Sequence, residues 1–389
     1  MLPVFYNPLD PQVHADPYPH YRRLREEDPV HRSPLGFWVV SRYRDVAALL
    51  RDPRLGHELD GANDGDSMLF RDPPAHTRLR SLVSKAFTPR RLERLRPRIH
   101  QIVDDRLAKA RETGEIDVIA DLAFPLPATV ISEMLGLPLE DHKSVRRWAG
   151  ALARSLDPVL SQQDMDGMVS ASAEFDAYLA DQVGRRRSRP GDDLLTALLA
   201  AEEEGDRLSP VELLTTVSLL FVAGHETTTN LIGNGFLALL RNPDQLQRLR
   251  EDPALLRPGI EELLRYDSPV QILIRTVKEP LEVGSRSLER GDPVLLLIGA
   301  ANRDPEAFGD PDVLDVGRPE SRHLSFGGGI HFCLGSVLAR MEGQIAIGAL
   351  VSLFDDFAFD PADLRWREHI NLRGLESLVV HAGKIPDTH

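Results

Sequence analysis

The chain of 389 residues holds a single cysteine, Cys333. That scarcity excludes an intramolecular disulfide, a thiolate zinc cluster and a cysteine-ligated iron-sulfur centre, each of which needs several thiols. Long apolar runs are missing too. The stretch Val294 to Ala301 is about eight residues long, against the roughly 18 that suggest a membrane span. The opening residues, Met1-Leu-Pro-Val-Phe5, carry neither the basic head nor the apolar run of an export signal. Positive charge is in deficit: 46 Lys and Arg face 60 Asp and Glu, a formal charge of -14. Nucleic-acid phosphates need clustered excess cation, so that class is set aside. Aromatics are only 6%, yet 42% hydrophobic residues leave ample material for a large core. These absences predict a soluble, cytoplasmic protein that meets neither nucleic acid nor membrane.

What is present reads as mainly α. Prolines crowd the first twenty residues, which are expected to run as irregular surface chain. Val30–Arg32 and Phe37–Val40, split by the turn cluster Ser33-Pro-Leu-Gly36, predict a hairpin, and a helix follows over Tyr43–Leu50. The polar, glycine-containing Gly56–Gly65 stretch predicts a mobile loop. Helices are expected over Ala75–Ala86, Arg91–Glu112, Leu126–Leu135, Asp141–Leu156, Asp164–Arg187, Asp192–Glu204 and Pro258–Tyr266. Ser209-Pro-Val-Glu212 offers an N-cap serine, a proline at the first helical position and a capping-box glutamate. The helix it starts should run to Arg241, a rod of roughly 50 Å. After Ser268 the texture turns β-rich, with strands over Gln271–Val277, Leu281–Val283 and Val294–Ile298. Asn302–Gly329 then reads as a long irregular stretch, and such stretches are usually functional. A last helix, Leu334–Phe354, places Leu334, Val337, Leu338, Met341 and Ile345 on one face, and a β-like tail ends near 381. No linker-like composition divides the chain, so one domain over 1–389 is expected, with β-rich segments near 30–41, 270–300 and 370–381.

The sharpest signal is Phe326-Gly-Gly-Gly-Ile-His-Phe-Cys333-Leu-Gly335. A lone thiol is most often a small buried hydrophobe. This one stands behind a glycine loop and just ahead of a helix, where a thiolate is stabilised and backbone amides can turn toward sulfur. In the long helix, Ala223-Gly-His-Glu-Thr-Thr228 puts a glycine and three consecutive threonines, Thr227 to Thr229, where good helix formers are expected. A threonine hydroxyl can bond the carbonyl one turn back, so a groove for oxygen or water is physically reasonable there. Glu262-Leu-Leu-Arg265 sets two opposite charges on one helix face. In Asp72-Pro-Pro-Ala-His76-Thr-Arg-Leu-Arg80 the spacing puts His76 and Arg80 on one face. Gly233-Asn-Gly235-Phe-Leu-Ala238 has the letters of a dinucleotide fingerprint but sits inside a helix with no strand before it, and is incidental.

The cysteine segment resembles the haem-ligand signature of the cytochrome P-450 family, Phe-Gly-x-Gly-x-His/Arg-x-Cys-x-Gly, at every fixed position. The helix hexamer resembles that family's Ala/Gly-Gly-x-Asp/Glu-Thr pattern, Glu262 and Arg265 its Glu-x-x-Arg, and Ala301 to Pro311 its meander. The resemblance implies the P-450 fold, mainly α with a small β-rich region, holding haem b between the long central helix and the C-terminal cysteine loop and helix. It makes Cys333 the iron ligand, and His331, His76, Arg80 and Arg275 contacts to the haem propionates, which favour cations. Glu226 and Thr227 become the acid-alcohol pair that supplies protons while dioxygen is activated. Glu262, Arg265 and Arg318 become a buried ion triad, although Leu314 stands where the family often has phenylalanine.

The implied activity is insertion of one oxygen atom from O2 into a small, largely apolar substrate, in the style of enzymes that tailor polyketides and macrolides. Oxidative coupling, desaturation or peroxide-driven chemistry on the same scaffold is the alternative, and a non-catalytic haem sensor a more distant one. Electrons would come from an external ferredoxin and its NAD(P)H-dependent reductase. The basic run Arg90 to Arg98 is a candidate docking patch, or else a solvated helix face. Candidate pocket walls are Leu55–Phe70, the helices within Asp141–Arg187, Val270–Ile274 and Gly374–Ser377. The tail departs from the family pattern in having Val379 near a usual proline.

Overall fold

The long helix forms as its cap predicts. In the computed structural model it spans Pro210–Arg241, 32 residues without a break. The Glu212 N–H donates to Ser209 Oγ at 3.1 Å and the Ser209 N–H to Glu212 Oε2 at 2.7 Å, so two end donors are satisfied reciprocally. The structure describes residues 6–57, 67–203, 208–319 and 322–383. Most of the Gly56–Gly65 expectation therefore falls outside the described residues.

The chain groups into two compact units interleaved along the sequence: Met1–Leu55, Pro97–Leu126 and Thr227–His389 form one, Gly56–Arg96 and Pro127–Glu226 the other. In the first, a five-stranded sheet runs in the order Val30–Arg32, Trp38–Val40, Pro293–Leu297, Ile272–Val277 and Leu55–Gly56. The hairpin pairs antiparallel, Val30 opposite Val40. Trp38–Val40 then runs parallel to Pro293–Leu297, which faces Ile272–Val277 antiparallel, Arg275 opposite Val294. Burial on both faces of the central strand explains its unbroken apolar run: Val294, Leu295, Leu296 and Leu297 are all fully buried. Ser336–Val351 follows the cysteine segment. Its face buries Leu338, Met341 and Ile345 as expected, while Val337 stands 45% exposed and Leu334 is only partly buried.

Two expectations fail through proline. The first twenty residues are not irregular throughout, since helices span Pro11–Ala15 and Tyr18–Glu27. Proline fits a first helical turn, where its missing N–H costs nothing, and Asp10 caps the first helix by accepting the Gln12 N–H at 2.9 Å. The single helix expected over Arg91–Glu112 is two, Pro89–Glu93 and Arg96–Thr113, because Pro97 can begin a helix but not continue one. The π-helical turn Val118–Ala123 ahead of Pro125–Leu135 is an element that the sequence pattern does not signal. Together they make an 18-residue window, Val118–Leu135, of mean hydropathy 1.5, which is long and apolar enough for a membrane span by composition; 78% of it is buried inside the fold.

The second unit is helical, with Ala75–Ala86, His142–Ala153, Gln162–Ser188 and Leu194–Glu203. The Trp148 and Phe175 rings stack at 5.5 Å, and Phe175 meets Phe221 edge-on at 5.9 Å, so these three rings help fix the helix cluster.

Candidate functional site

The cysteine segment is shaped by its glycines. Gly327 and Gly329 take φ of 70° and 64°, the left-handed region closed to most side chains. A Cβ on Gly329 would stand 2.5 Å from the Leu50 carbonyl oxygen, so the loop also lies too close to the end of the Tyr43–Leu49 helix for any side chain. A 3-10 turn at Gly329–His331 delivers Cys333, whose N–H donates to the Phe326 carbonyl at 2.9 Å. Cys333 is only partly buried and precedes Ser336, the first residue of its helix, by three positions. A cysteine serving as a core hydrophobe would be packed away. This thiol is accessible at a helix N-terminus, the setting that favours its anion, and the donor set fits a single thiolate ligand to a porphyrin iron.

The segment is anchored from behind. Arg340 lies over the Phe326 ring at 4.3 Å and forks onto Glu261 at 2.6 and 2.9 Å. His323 Nε2 meets the same carboxylate at 3.1 Å. Burial pushes the Glu261 pKa up, but the hydrogen bonds from His323 and Arg340 outweigh it and bring the group to about 2. Beside it, Glu262 and Arg265 are wholly buried and bonded at 2.7 and 2.8 Å, and Arg318 Nε reaches Glu262 at 3.0 Å. Arg265 spends its other donors on the carbonyls of Asn302, Pro311 and Val313, at 2.8 to 3.2 Å. The expected triad therefore forms, and it pins the irregular stretch to its helix through backbone acceptors.

On the long helix, an accessible stripe of Thr215, Ser218, Leu219, Ala223, Gly224 and Thr227 interrupts otherwise buried surface. The residues are mostly small or hydroxylic, and from Thr228 to Leu239 every residue is buried. Glu226 is 5% exposed, with His225 Nδ1 3.9 Å from its carboxylate. Gly233 and Gly235 confirm that no nucleotide loop is present here: they let the helix approach Ile119, Leu263 and Ile347.

Within the first unit the structure holds Thr227, Arg275, His331 and Cys333; within the second, His76, Arg80 and Glu226. His76 is 3% exposed and Arg80 half-buried, one turn apart on Ala75–Ala86. Arg275 is 6% exposed on its strand, donating to the Ile274 carbonyl at 2.7 Å. In the basic run, Arg91 and Arg94 are drawn to Asp192 at 3.3 and 3.7 Å and Arg96 forks onto Glu93, which neutralises much of that patch.

One group has no counterpart in the sequence reading. Glu342 on Ser336–Val351 is 1% exposed, and burial raises its pKa to about 8. The Thr228 hydroxyl faces it and opposes the shift, without closing a full hydrogen bond to either oxygen. The signal was available: Leu338, Glu342 and Ile345 share a helical stripe, which sets a carboxyl among core positions. Glu261 and Arg340, 79 residues apart, carried no such signal.

The family model described as Cytochrome P450 matches residues 39–259 and 254–364. Cytochrome P450 107B1 of Saccharopolyspora erythraea is 46% identical, over 96% of this chain and 97% of its own. Cytochrome P450 monooxygenase PikC of Streptomyces venezuelae is 43% identical, over 94% and 91%. Among solved structures, the bacillaene polyketide synthase cytochrome P450 PksS of Bacillus subtilis superposes with a TM-score of 0.91 at 40% identity, over 98% of this chain and 100% of the other.

Proposed function

Because the chain belongs to the cytochrome P450 family, whose members carry a cysteine-ligated haem b and act as monooxygenases, we propose that Cys333 is the haem ligand and that Glu226 and Thr227 handle the protons of the reaction. The observation that carries this reading is the only thiol of the chain, accessible at a glycine-bent turn ahead of a helix. His331, His76, Arg80 and Arg275 would hold the two propionates, arginine forks matching carboxylates best. When bound, the haem supplies the activation of dioxygen and the transfer of one of its atoms to the substrate. The chain's own part is to keep Cys333 as a thiolate, through the helix terminus and the loop amides, and to hold a proton on the Glu226 carboxyl. The Thr227 hydroxyl, in the accessible stripe, gives up its own proton and takes the one held on Glu226, whose carboxylate then regains a proton from solvent.

The substrate is a small, largely apolar organic molecule of polyketide or macrolide type, a reading supported by the named role of PksS. The accessible stripe along the long helix offers it Leu219, Ala223 and Gly224 as apolar contacts beside the hydroxyls of Thr215, Ser218 and Thr227. Electrons come from an acidic ferredoxin served by an NAD(P)H-dependent reductase, in the cytoplasm. For that partner the face around the cysteine segment is better suited than the Arg90–Arg98 run: Ile330, Phe332 and Val337 are 53%, 43% and 45% exposed there, and Arg51, also exposed, borders the glycine loop.

The test is spectroscopic and kinetic. The reduced carbon monoxide complex should show the red-shifted Soret band of thiolate ligation, and Cys333→Ser should lose it; a retained band would remove Cys333 from the role. With a ferredoxin system, Thr227→Ala should lower product formed per NAD(P)H by about tenfold. Unchanged coupling would take Thr227 out of the proton path.

A further inference from the structure

The two residues that lead into the cysteine segment, Leu324 and Ser325, have their backbone N–H groups held by side chains. The Leu324 N–H donates to Asn302 Oδ1 at 2.7 Å, and Asn302 Nδ2 reaches Ser325 Oγ at 2.9 Å. The Ser325 N–H donates to His323 Nδ1 at 3.2 Å, the bond an asparagine makes when it closes a turn on the residue two positions ahead. The other ring nitrogen, Nε2, stands 3.1 Å from Glu261 Oε2, and the imidazole is 2% exposed. A backbone N–H can only donate, so Nδ1 carries no proton; a carboxylate can only accept, so Nε2 carries one. The two bonds together require a neutral ring in its Nε2–H tautomer. Arg340 already forks onto the same carboxylate at 2.6 and 2.9 Å, so the charge of Glu261 is matched without a protonated histidine.

We propose that His323 is a positioning residue for Cys333: as the neutral Nε2–H tautomer it hangs the Ser325 backbone on Glu261 and so fixes where the cysteine segment starts. This role rests on the reading of Cys333 as the haem ligand. The path between them is short. Ser325 adjoins Phe326, whose carbonyl accepts the Cys333 N–H at 2.9 Å and whose ring lies under Arg340 at 4.3 Å. Glu261 therefore grips the segment twice, through His323 at its backbone and through Arg340 at its first ring. Gly327 and Gly329 stand between those anchors and the thiol, both at positive φ. Glycine has the most freedom to lose on ordering, so a turn built on it needs its ends fixed from outside. A ring contact alone leaves the peptide at Phe326 free to turn; the bond to His323 removes that freedom. No sequence pattern marks this histidine, because it precedes the contiguous signature and its carboxylate lies 62 residues away.

The experiment separates the two ring nitrogens in the haem-loaded full chain. His323→Asn keeps an acceptor where Nδ1 stood and loses the donor to Glu261, whereas His323→Gln keeps a donor near Nε2 and loses the acceptor for the Ser325 N–H. Arg340 stays on Glu261 in both. In the reduced carbon monoxide complex, His323→Gln should raise the fraction lacking the thiolate-type Soret band about tenfold, the factor to which one lost backbone hydrogen bond corresponds, while His323→Asn stays within about twofold of the parent. Equal behaviour of the two variants, or the reverse order, overturns the proposal. Nitrogen NMR of the histidine-labelled parent in the same diamagnetic complex needs no variant to fold. The His323 signals, assigned through backbone connectivity, should show a bare Nδ1 and a protonated Nε2; a proton on Nδ1 overturns the proposal as well. Should Cys333→Ser keep the thiolate-type band, the fault lies in the ligand reading, and the nitrogen signals still decide the bonds of His323.

Discussion

Replacing Glu342 by glutamine should remove a stability loss of several kcal/mol that sets in as pH rises from 5 to 8. The carboxyl is fully buried, with a pKa near 8 in the fold against an ordinary 4.5. Between those two values the folded chain keeps a proton that the unfolded chain has released, so stability falls as pH rises from 4.5, and levels off above 8. At about 1.36 kcal/mol per unit the loss is roughly 3 kcal/mol at pH 7 and about 5 kcal/mol at pH 8 and above. Glutamine has the same shape and no charge to lose, so its profile should lack that slope and keep only what the 13 histidines contribute over that window. For a chain of this length roughly 3 kcal/mol corresponds to about 4 °C in thermal midpoint. The assay is the midpoint of the haem-loaded protein and the variant in steps from pH 4.5 to 9. A poorer pairing of the amide with Thr228 would offset the whole glutamine curve but not tilt it. Parallel curves from pH 5 to 8 would refute the reasoning, because they would mean that Glu342 does not change its proton between the folded and unfolded chain.

Three further outcomes follow from the site's supports. Glu262→Ala leaves the wholly buried Arg265 without its carboxylate, a loss of about 3–5 kcal/mol; a thermal midpoint within a degree of the parent's would show the triad to be dispensable. Gly329→Ala must strain a φ of 64° and push against the Leu50 carbonyl, costing about 2 kcal/mol or more in urea unfolding. Gly328→Ala, extended and 3.3 Å from Leu50 Cβ, should cost less, and equal losses would dismiss the backbone argument. Glu261, held at about 2 by His323 and Arg340, lends stability that is present above its unfolded pKa and lost as pH falls toward 2, roughly 3 kcal/mol in all. Glu261→Gln should therefore flatten the acid limb of the stability profile, and an unchanged limb would show that the clamp adds nothing.

Much of the fold was legible because local chemistry decides it. The cap at Ser209, the hairpin at Val30–Val40 and the helix Ala75–Ala86 depend on residues within a few positions of one another. The prolines misled where their position in the first turn, rather than their presence, was decisive, as at Pro11 and Pro97. Candidate chemistry was legible for the same local reason: Cys333 with its glycines, and Glu226 with Thr227, are short contiguous patterns.

What sequence alone determined is therefore the family, the thiol and the helical frame, all written in neighbouring letters. Tertiary structure alone decided what those letters stand against. It brought Arg340 to Glu261 across 79 residues, closed Arg318 onto Glu262 and faced Glu342 with Thr228. Burial and partner choice set the charge state of a carboxyl, and both are properties of the packed neighbourhood that no single segment encodes.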